Sequence, residues 1–151
     1  MTPLASVRSA GCAGSDLAYW DQGGVHSTVE LEPGSHTIAA VFVNGVRMRA
    51  VFDTGAASSL ITETAARRAG LDLKARDIAP IFGIGPGRTR SWVAPTASLR
   101  IGSEVLPAAL LRVVEAALGG ADMLIGIDFF LTHHVYVATE RGRLYFTANR
   151  P

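Results

Sequence analysis

Ala50-Val51-Phe52-Asp53-Thr54-Gly55-Ala56-Ala57-Ser58-Ser59-Leu60-Ile61 is the stretch around which the 151-residue chain is organised. An apolar strand runs straight into Asp-Thr-Gly, and the chain leaves through small residues into a second apolar run. A carboxylate placed directly after Ala-Val-Phe is costly unless something shares or hydrogen-bonds its charge. Gly55 permits a sharp turn, and the small residues after it let another chain approach closely. A bare Asp-Thr-Gly arises by chance in roughly a few per cent of chains this long. The weight therefore falls on what flanks it.

Upstream, the residues from His36 to Val43 form an apolar, β-branched run that ends at Asn44-Gly45, two residues that accept positive φ and so favour a two-residue hairpin turn. The return strand, from Val46 to Phe52, puts Val46, Met48, Ala50 and Phe52 on one face and Arg47 and Arg49 on the other. A hairpin of fixed register thus delivers Asp53. Before it, Val25 to Leu31 alternates as a half-buried strand and stops at Pro33-Gly34. Downstream, Thr62 is an N-cap for a short helix over Glu63 to Ala69. Its early Glu and late Arg pair match the helix dipole, and Gly70 is its stop.

Leu71 to Ile78 leads to a second hairpin, with Pro80-Ile81-Phe82 before the tip Gly83-Ile84-Gly85-Pro86-Gly87 and Arg88 to Val93 after it. A phosphate-cradling loop would need a helix to start at its end, and no helical stripe follows this one. A third hairpin pairs Ala97–Ile101 with Val105-Leu106 across Gly102-Ser103. Ala108 to Val114 fits a buried strand or, continued through Ala117, a helix; periodicity does not separate the two. Met123-Leu124-Ile125-Gly126 is a core strand, and Ile127 to Leu131 a short helix capped near Asp128. Val135 to Val137 and Arg143 to Phe146 close the chain as a hairpin around Arg141-Gly142.

Composition narrows the function classes. The 14 basic and 13 acidic side chains nearly cancel, and no basic stripe interleaved with aromatics marks a nucleic-acid surface. No apolar run reaches the ~20 residues needed to cross a bilayer as a helix. The sole cysteine, Cys12, excludes an internal disulfide framework and a four-cysteine metal site. His133 and His134 are adjacent and cannot both face one metal; no metal site and no cofactor are expected. Ser58-Ser59 lacks the Gly-x-Ser-x-Gly elbow of a serine nucleophile. Asp122 and Asp128 look like caps or surface charges. Residues 1–24 are rich in Ser, Ala and Gly and form a poorly ordered lead-in to a single domain over 25–151. Ser9-Ala10-Gly11-Cys12 is similar to a bacterial lipoprotein cleavage site, but no apolar segment precedes it, which favours a free surface cysteine. The compartment, cytoplasm or bacterial envelope, stays open.

The Asp53-Thr54-Gly55-Ala56 loop after its apolar strand, the glycine-tipped hairpin, and Leu124-Ile125-Gly126-Ile127-Asp128-Phe129-Phe130 together resemble the single-domain retropepsin-like aspartic proteases of bacterial type. The resemblance spans roughly His36 to Phe146. It implies a mostly β, barrel-like closed sheet with two short helices, one lobe per chain. It also implies that Asp53 is the catalytic acid and that Thr54, Gly55 and Ala56 support its loop. Phe82, Gly83, Ile84, Gly85, Pro86 and Gly87 become a flap over bound peptide, and Leu124, Ile125 and Gly126 pack beneath the acid loop. Retroviral members carry a second aspartate where this chain has Ala57, and an arginine where it has Ile127. Both partners of that ion pair are missing together, which implies a different dimer interface.

Aspartic proteolysis needs two carboxylates, and this chain offers one Asp-Thr-Gly. The resemblance therefore implies a homodimeric endopeptidase acting on peptide or protein substrates, with Asp53 from each subunit at a twofold axis. Two other readings are a non-catalytic dimerisation or peptide-binding domain, and one lobe of a duplicated protease. Ile81, Phe82, Ile84 and residues near Val113 are expected to line an apolar substrate pocket.

Overall fold

The Asn44-Gly45 turn adopts positive φ at both residues, 50° and 77°, and folds β2 (Ile38–Val43) onto β3 (Val46–Phe52) in unbroken antiparallel register from Val43↔Val46 to Ile38↔Val51. The computed structural model describes residues 26–73, 77–81, 89–96, 98–107 and 110–149. The lead-in with Cys12 and the flap positions 82–87 lie outside the described residues.

Twelve strands are described, in two sheets. Besides β2 and β3 they are β1 (Ser27–Glu30), β4 (Leu60–Thr62), β5 (Asp77–Ile81), β6 (Thr89–Pro95), β7 (Ser98–Ile101), β8 (Glu104–Pro107), β9 (Leu110–Val114), β10 (Met123–Ile125), β11 (His133–Ala138) and β12 (Arg143–Ala148). The larger sheet runs β5-β6-β9-β4-β10-β3-β2-β7-β8, and the smaller β1-β12-β11. Two short helices, α1 (Glu63–Arg68) and α2 (Ile127–Phe130), complete the mostly β architecture expected from the sequence. None of the described helices is long and apolar enough to cross a membrane.

The local rules act as anticipated. Met48 and Ala50 are fully buried and Phe52 nearly so, while Arg47 stays exposed. Thr62 Oγ1 accepts the Ala65 N–H at 3.2 Å, and Gly70, at φ +71°, ends the turn. The segment open between strand and helix is strand β9. It lies between β6 and β4, and Val113 and Val114 are wholly buried. Val113 is therefore a core residue and does not line a substrate pocket. Near it, Arg112 is half-buried and reaches Ser91 Oγ, while Leu110 is exposed.

The smaller sheet is tied to the larger through aromatics. Phe129 of α2 meets Phe52 edge-on at 5.8 Å between centroids, meets Phe146 of β12 at 5.4 Å, and stacks on His133 at 4.1 Å. Burying a phenylalanine contributes about 1.5–3 kcal/mol, with roughly 0.5–1.5 more for each well-oriented ring pair. His133 is buried, and its ring nitrogens are occupied by the Phe129 carbonyl and Thr132 Oγ1 on one side and the Glu104 carboxylate on the other. The turn from α2 into β11 is thereby pinned to β8.

Candidate active site

Three short strands lie side by side at the centre of the larger sheet in the order β4-β10-β3. β3 and β10 run parallel, with Ile125 beside Phe52, and β4 runs antiparallel to β10. The chain leaving β3 must therefore cross the end of β10 to enter β4. Residues 53–59 make that crossing, and Gly126 lies directly under it.

Hydrogen bonds fasten both sides of the crossing. Asp53 N–H donates to the Ile125 carbonyl at 2.9 Å, and Ile127 N–H donates to the Ala56 carbonyl at 2.9 Å. Phe52 N–H donates to the Thr37 carbonyl, which carries the β2–β3 ladder up to the acid. Within the loop, Gly55 N–H donates to Asp53 Oδ1 at 2.8 Å. A Cβ at residue 55 would stand 3.1 Å from that oxygen, so glycine leaves the carboxylate its position. The Asp53 side chain faces solvent in the single chain. An acid next to an apolar strand thus avoids an uncompensated burial cost by sitting at the surface with a backbone donor.

Gly126 explains why the late motif contains glycine. Its φ of −96° and ψ of −169° suit any residue. Space is what forbids a side chain: a Cβ there would lie 2.6 Å from Ser58 C, 2.7 Å from Ser58 O and 2.8 Å from Ala56 O. Ile125 is 1% exposed and its carbonyl accepts the Asp53 N–H, while Leu124 is half-buried between Val51 and Leu60 on the neighbouring strands.

Two polar residues that the sequence reading set aside belong to this assembly. Ser59 Oγ donates to Asp128 Oδ1 at 2.8 Å and accepts the Gly126 N–H at 3.0 Å. Ser59 N–H also donates to Asp128 Oδ1, at 2.9 Å. Asp128 therefore does not cap α2, whose N-cap is Gly126 without a side-chain cap bond. Its carboxylate reaches back to the far end of the acid loop. The available signal was a polar residue in each of two otherwise apolar motifs, both fated to meet once β10 lies between β3 and β4. Asp122 has a related role behind the site. It accepts the Arg49 N–H at 2.8 Å and pairs with Arg68 at 2.9 Å, while Arg49 pairs with Glu32 at 2.7 Å. The Arg49 hydrogen bond holds the Glu32 carboxyl below its ordinary range, outweighing the opposing effect of burial.

Of the anticipated site residues, Asp53, Thr54, Gly55 and Ala56 lie in one loop that meets Ile125 and Gly126 at the end of β10. Thr54 is exposed. Ile127, at the position where the retroviral pattern has arginine, contributes its backbone N–H to Ala56. Among the described residues, no group of three or more His, Cys, Asp or Glu is placed to hold a metal ion.

Comparison with known proteins bears on the family and the fold. A family model described as "gag-polyprotein putative aspartyl protease" matches residues 39–132. The fold is similar to a retropepsin-like aspartic protease from Rickettsia conorii, with a TM-score of 0.60 and 19% identity over 81% of this chain and 89% of that one. It is similar also to EIAV protease complexed with the inhibitor HBY-793 (TM-score 0.55, 17% identity, 68% of this chain and 92% of that one). A third likeness is to the retroviral protease-like domain of Ddi1 from Leishmania major (TM-score 0.54, 20% identity, 78% and 91%). No curated protein sequence matches. With the matched segment running from β2 to the turn after α2, more than half of the chain's length, the chain belongs to the retropepsin-like aspartic protease family.

Proposed function

We propose that the chain is an aspartic endopeptidase of bacterial type, active as a homodimer in which each subunit contributes Asp53. The observation that carries this reading is the loop itself. A solvent-facing carboxylate is held by the Gly55 N–H on a crossing fastened to Gly126 and Ile127. A positioned acid on a braced backbone is what proton transfer demands.

Two such carboxylates at a twofold axis share one proton, because like charges that close do not both ionise. The ionised member takes a proton from a water as that water attacks the peptide carbonyl. The protonated member gives its proton to the developing oxyanion, forming a gem-diol; as this collapses, the carboxyl that took the water's proton passes it to the departing nitrogen, the other carboxyl takes back a hydroxyl proton, and the C–N bond breaks with the pair returned to its starting state. Thr54 braces the two loops across the axis, and Gly55 and Ala56 leave room for an extended peptide. The glycine-rich segment from Phe82 to Gly87 closes over that peptide and excludes water. No metal or cofactor takes part in these steps.

The test is cleavage of a peptide library from mildly acidic to neutral pH, with Asp53→Asn run beside the natural chain. Cleavage abolished by the substitution supports the assignment. Cleavage that persists in Asp53→Asn refutes it. A natural chain that dimerises and binds peptides without cutting them points to a binding module.

A further inference from the structure

Two neighbouring rows of side chains cross the five strands β3-β10-β4-β9-β6, on opposite faces of the larger sheet. Ala50, Met123, Ile61, Val113 and Trp92 stand side by side in the first row, and all five are buried in the core. Val51, Leu124, Leu60, Arg112 and Val93 make the second, which faces the other way because successive residues of a strand alternate. Leu60 is buried there, but the other four are half-buried. Asp53 follows Val51 by two residues, and its N–H prolongs the β3–β10 pairing by donating to Ile125. Alternation therefore puts the acid on the side of this more open row.

Arg112 is the charge in a row whose other members are apolar. Among the described residues, its Nη1 donates to Ser91 Oγ at 3.3 Å, and no carboxylate pairs with its guanidinium. Glu115, the next acid along the chain, pairs with Arg90 instead, at 3.8 Å. A cation stripped of part of its water and left without a counter-charge favours an anion that supplies one. A guanidinium fork meets a carboxylate with two parallel N–H bonds, and with Nη1 turned to Ser91, Nε and Nη2 form the edge that can do so.

We propose that Arg112 selects peptide substrates carrying Asp or Glu close to the scissile bond. This rests on the protease reading above, in which Asp53 makes the open row a wall of the substrate cleft. Adjacent strands lie about 4.8 Å apart, so β9 stands about 14 Å from β3, and an extended peptide advances about 3.3 Å per residue. The acidic side chain therefore falls within about four residues of the bond that is cut. With one Arg112 in each subunit of a twofold dimer, one lies on either side of that bond. The cleft is thus apolar with a cationic position, where the sequence suggested an apolar pocket throughout.

The experiment uses the full chain and matched peptides that differ only in Asp against Asn, or Glu against Gln, at each position within about four residues of a cleaved bond. At one or more of these positions kcat/KM should favour the acidic peptide by about tenfold or more, and Arg112→Met should bring that ratio to within about twofold of unity. Arg112→Glu should move the preference to Lys, a gain that damage to the fold does not produce. A ratio near one in the natural chain, or one that neither variant changes, overturns acid selection by Arg112; cleavage that Asp53→Asn abolishes still leaves the protease standing. If the natural chain cuts nothing, the protease reading falls, and fluorescence anisotropy of labelled acidic and amide peptides decides for Arg112. Tighter binding of the acidic member that Arg112→Met removes upholds acid recognition in the cleft, and equal binding overturns it.

Discussion

Gly126→Ala is the sharpest test of how the acid loop is held. The added methyl would sit 2.6–2.8 Å from Ser58 C, Ser58 O and Ala56 O, against the 3.4 Å at which ordinary contact begins. These are backbone atoms of the crossing, so relief requires the loop to lift by about 0.6–0.8 Å. Overpacking of this kind costs about 1–3 kcal/mol. Lifting the loop also stretches the Ile127–Ala56 and Gly126–Ser59 hydrogen bonds, each contributing about 1 kcal/mol. A loss of about 2–4 kcal/mol is expected, read by urea unfolding at one fixed protein concentration because the proposed dimerisation would feed into stability. Misplacing a reacting group by about 1 Å can cost about a hundredfold in rate, so cleavage should fall on that scale. Gly55→Ala is the matched contrast. Its methyl would crowd only Asp53 Oδ1, at 3.1 Å, on an exposed loop, so stability should fall by less than about 1 kcal/mol while cleavage drops markedly. If Gly126→Ala unfolds within about 0.5 kcal/mol of the natural chain and cleaves normally, steric closure over Gly126 is not what positions the loop.

Three further outcomes follow from named contacts. Ser59→Ala leaves the Gly126 N–H without its partner and removes one of two bonds to Asp128, at a cost of about 1–2 kcal/mol, whereas Asp128→Asn keeps an acceptor and should cost less; equal losses in urea midpoints would refute this. Phe129→Ala removes the ring that joins Phe52, His133 and Phe146 and should destabilise by about 3–5 kcal/mol by thermal or urea unfolding; a loss below about 1 kcal/mol would show that the two sheets are held by other contacts. Glu32 titrates below its ordinary value of 4.5 because of Arg49, so its contribution is complete above that value and lost as pH falls through the lowered one. Stability should therefore decline more steeply below about pH 4.5 in the natural chain than in Glu32→Gln, and the difference should shrink in high salt because the pair is exposed; parallel profiles would refute it.

Much of this was legible in the chain because it rests on local rules. Asn44-Gly45 sets the hairpin that carries Asp53, since only residues tolerating positive φ close a two-residue turn of the right twist. Thr62 and Gly70 bound α1 through one cap bond and one left-handed residue. Alternation placed Met48, Ala50 and Phe52 inward, and the apolar-Asp-Thr-Gly and Leu-Ile-Gly motifs carried the family.

The tertiary structure alone decided the rest. That β9 is a strand follows from its insertion between β6 and β4, which pair with it along both edges; an apolar run of that length satisfies strand and helix equally until its neighbours are known. Asp128 looked like a helix cap, yet its carboxylate holds Ser59, because the order β4-β10-β3 folds the far end of the acid loop back over α2. Gly126 appeared only as one letter of a motif. Its necessity comes from three backbone atoms of a distant loop closing over it, a contact that no local pattern encodes.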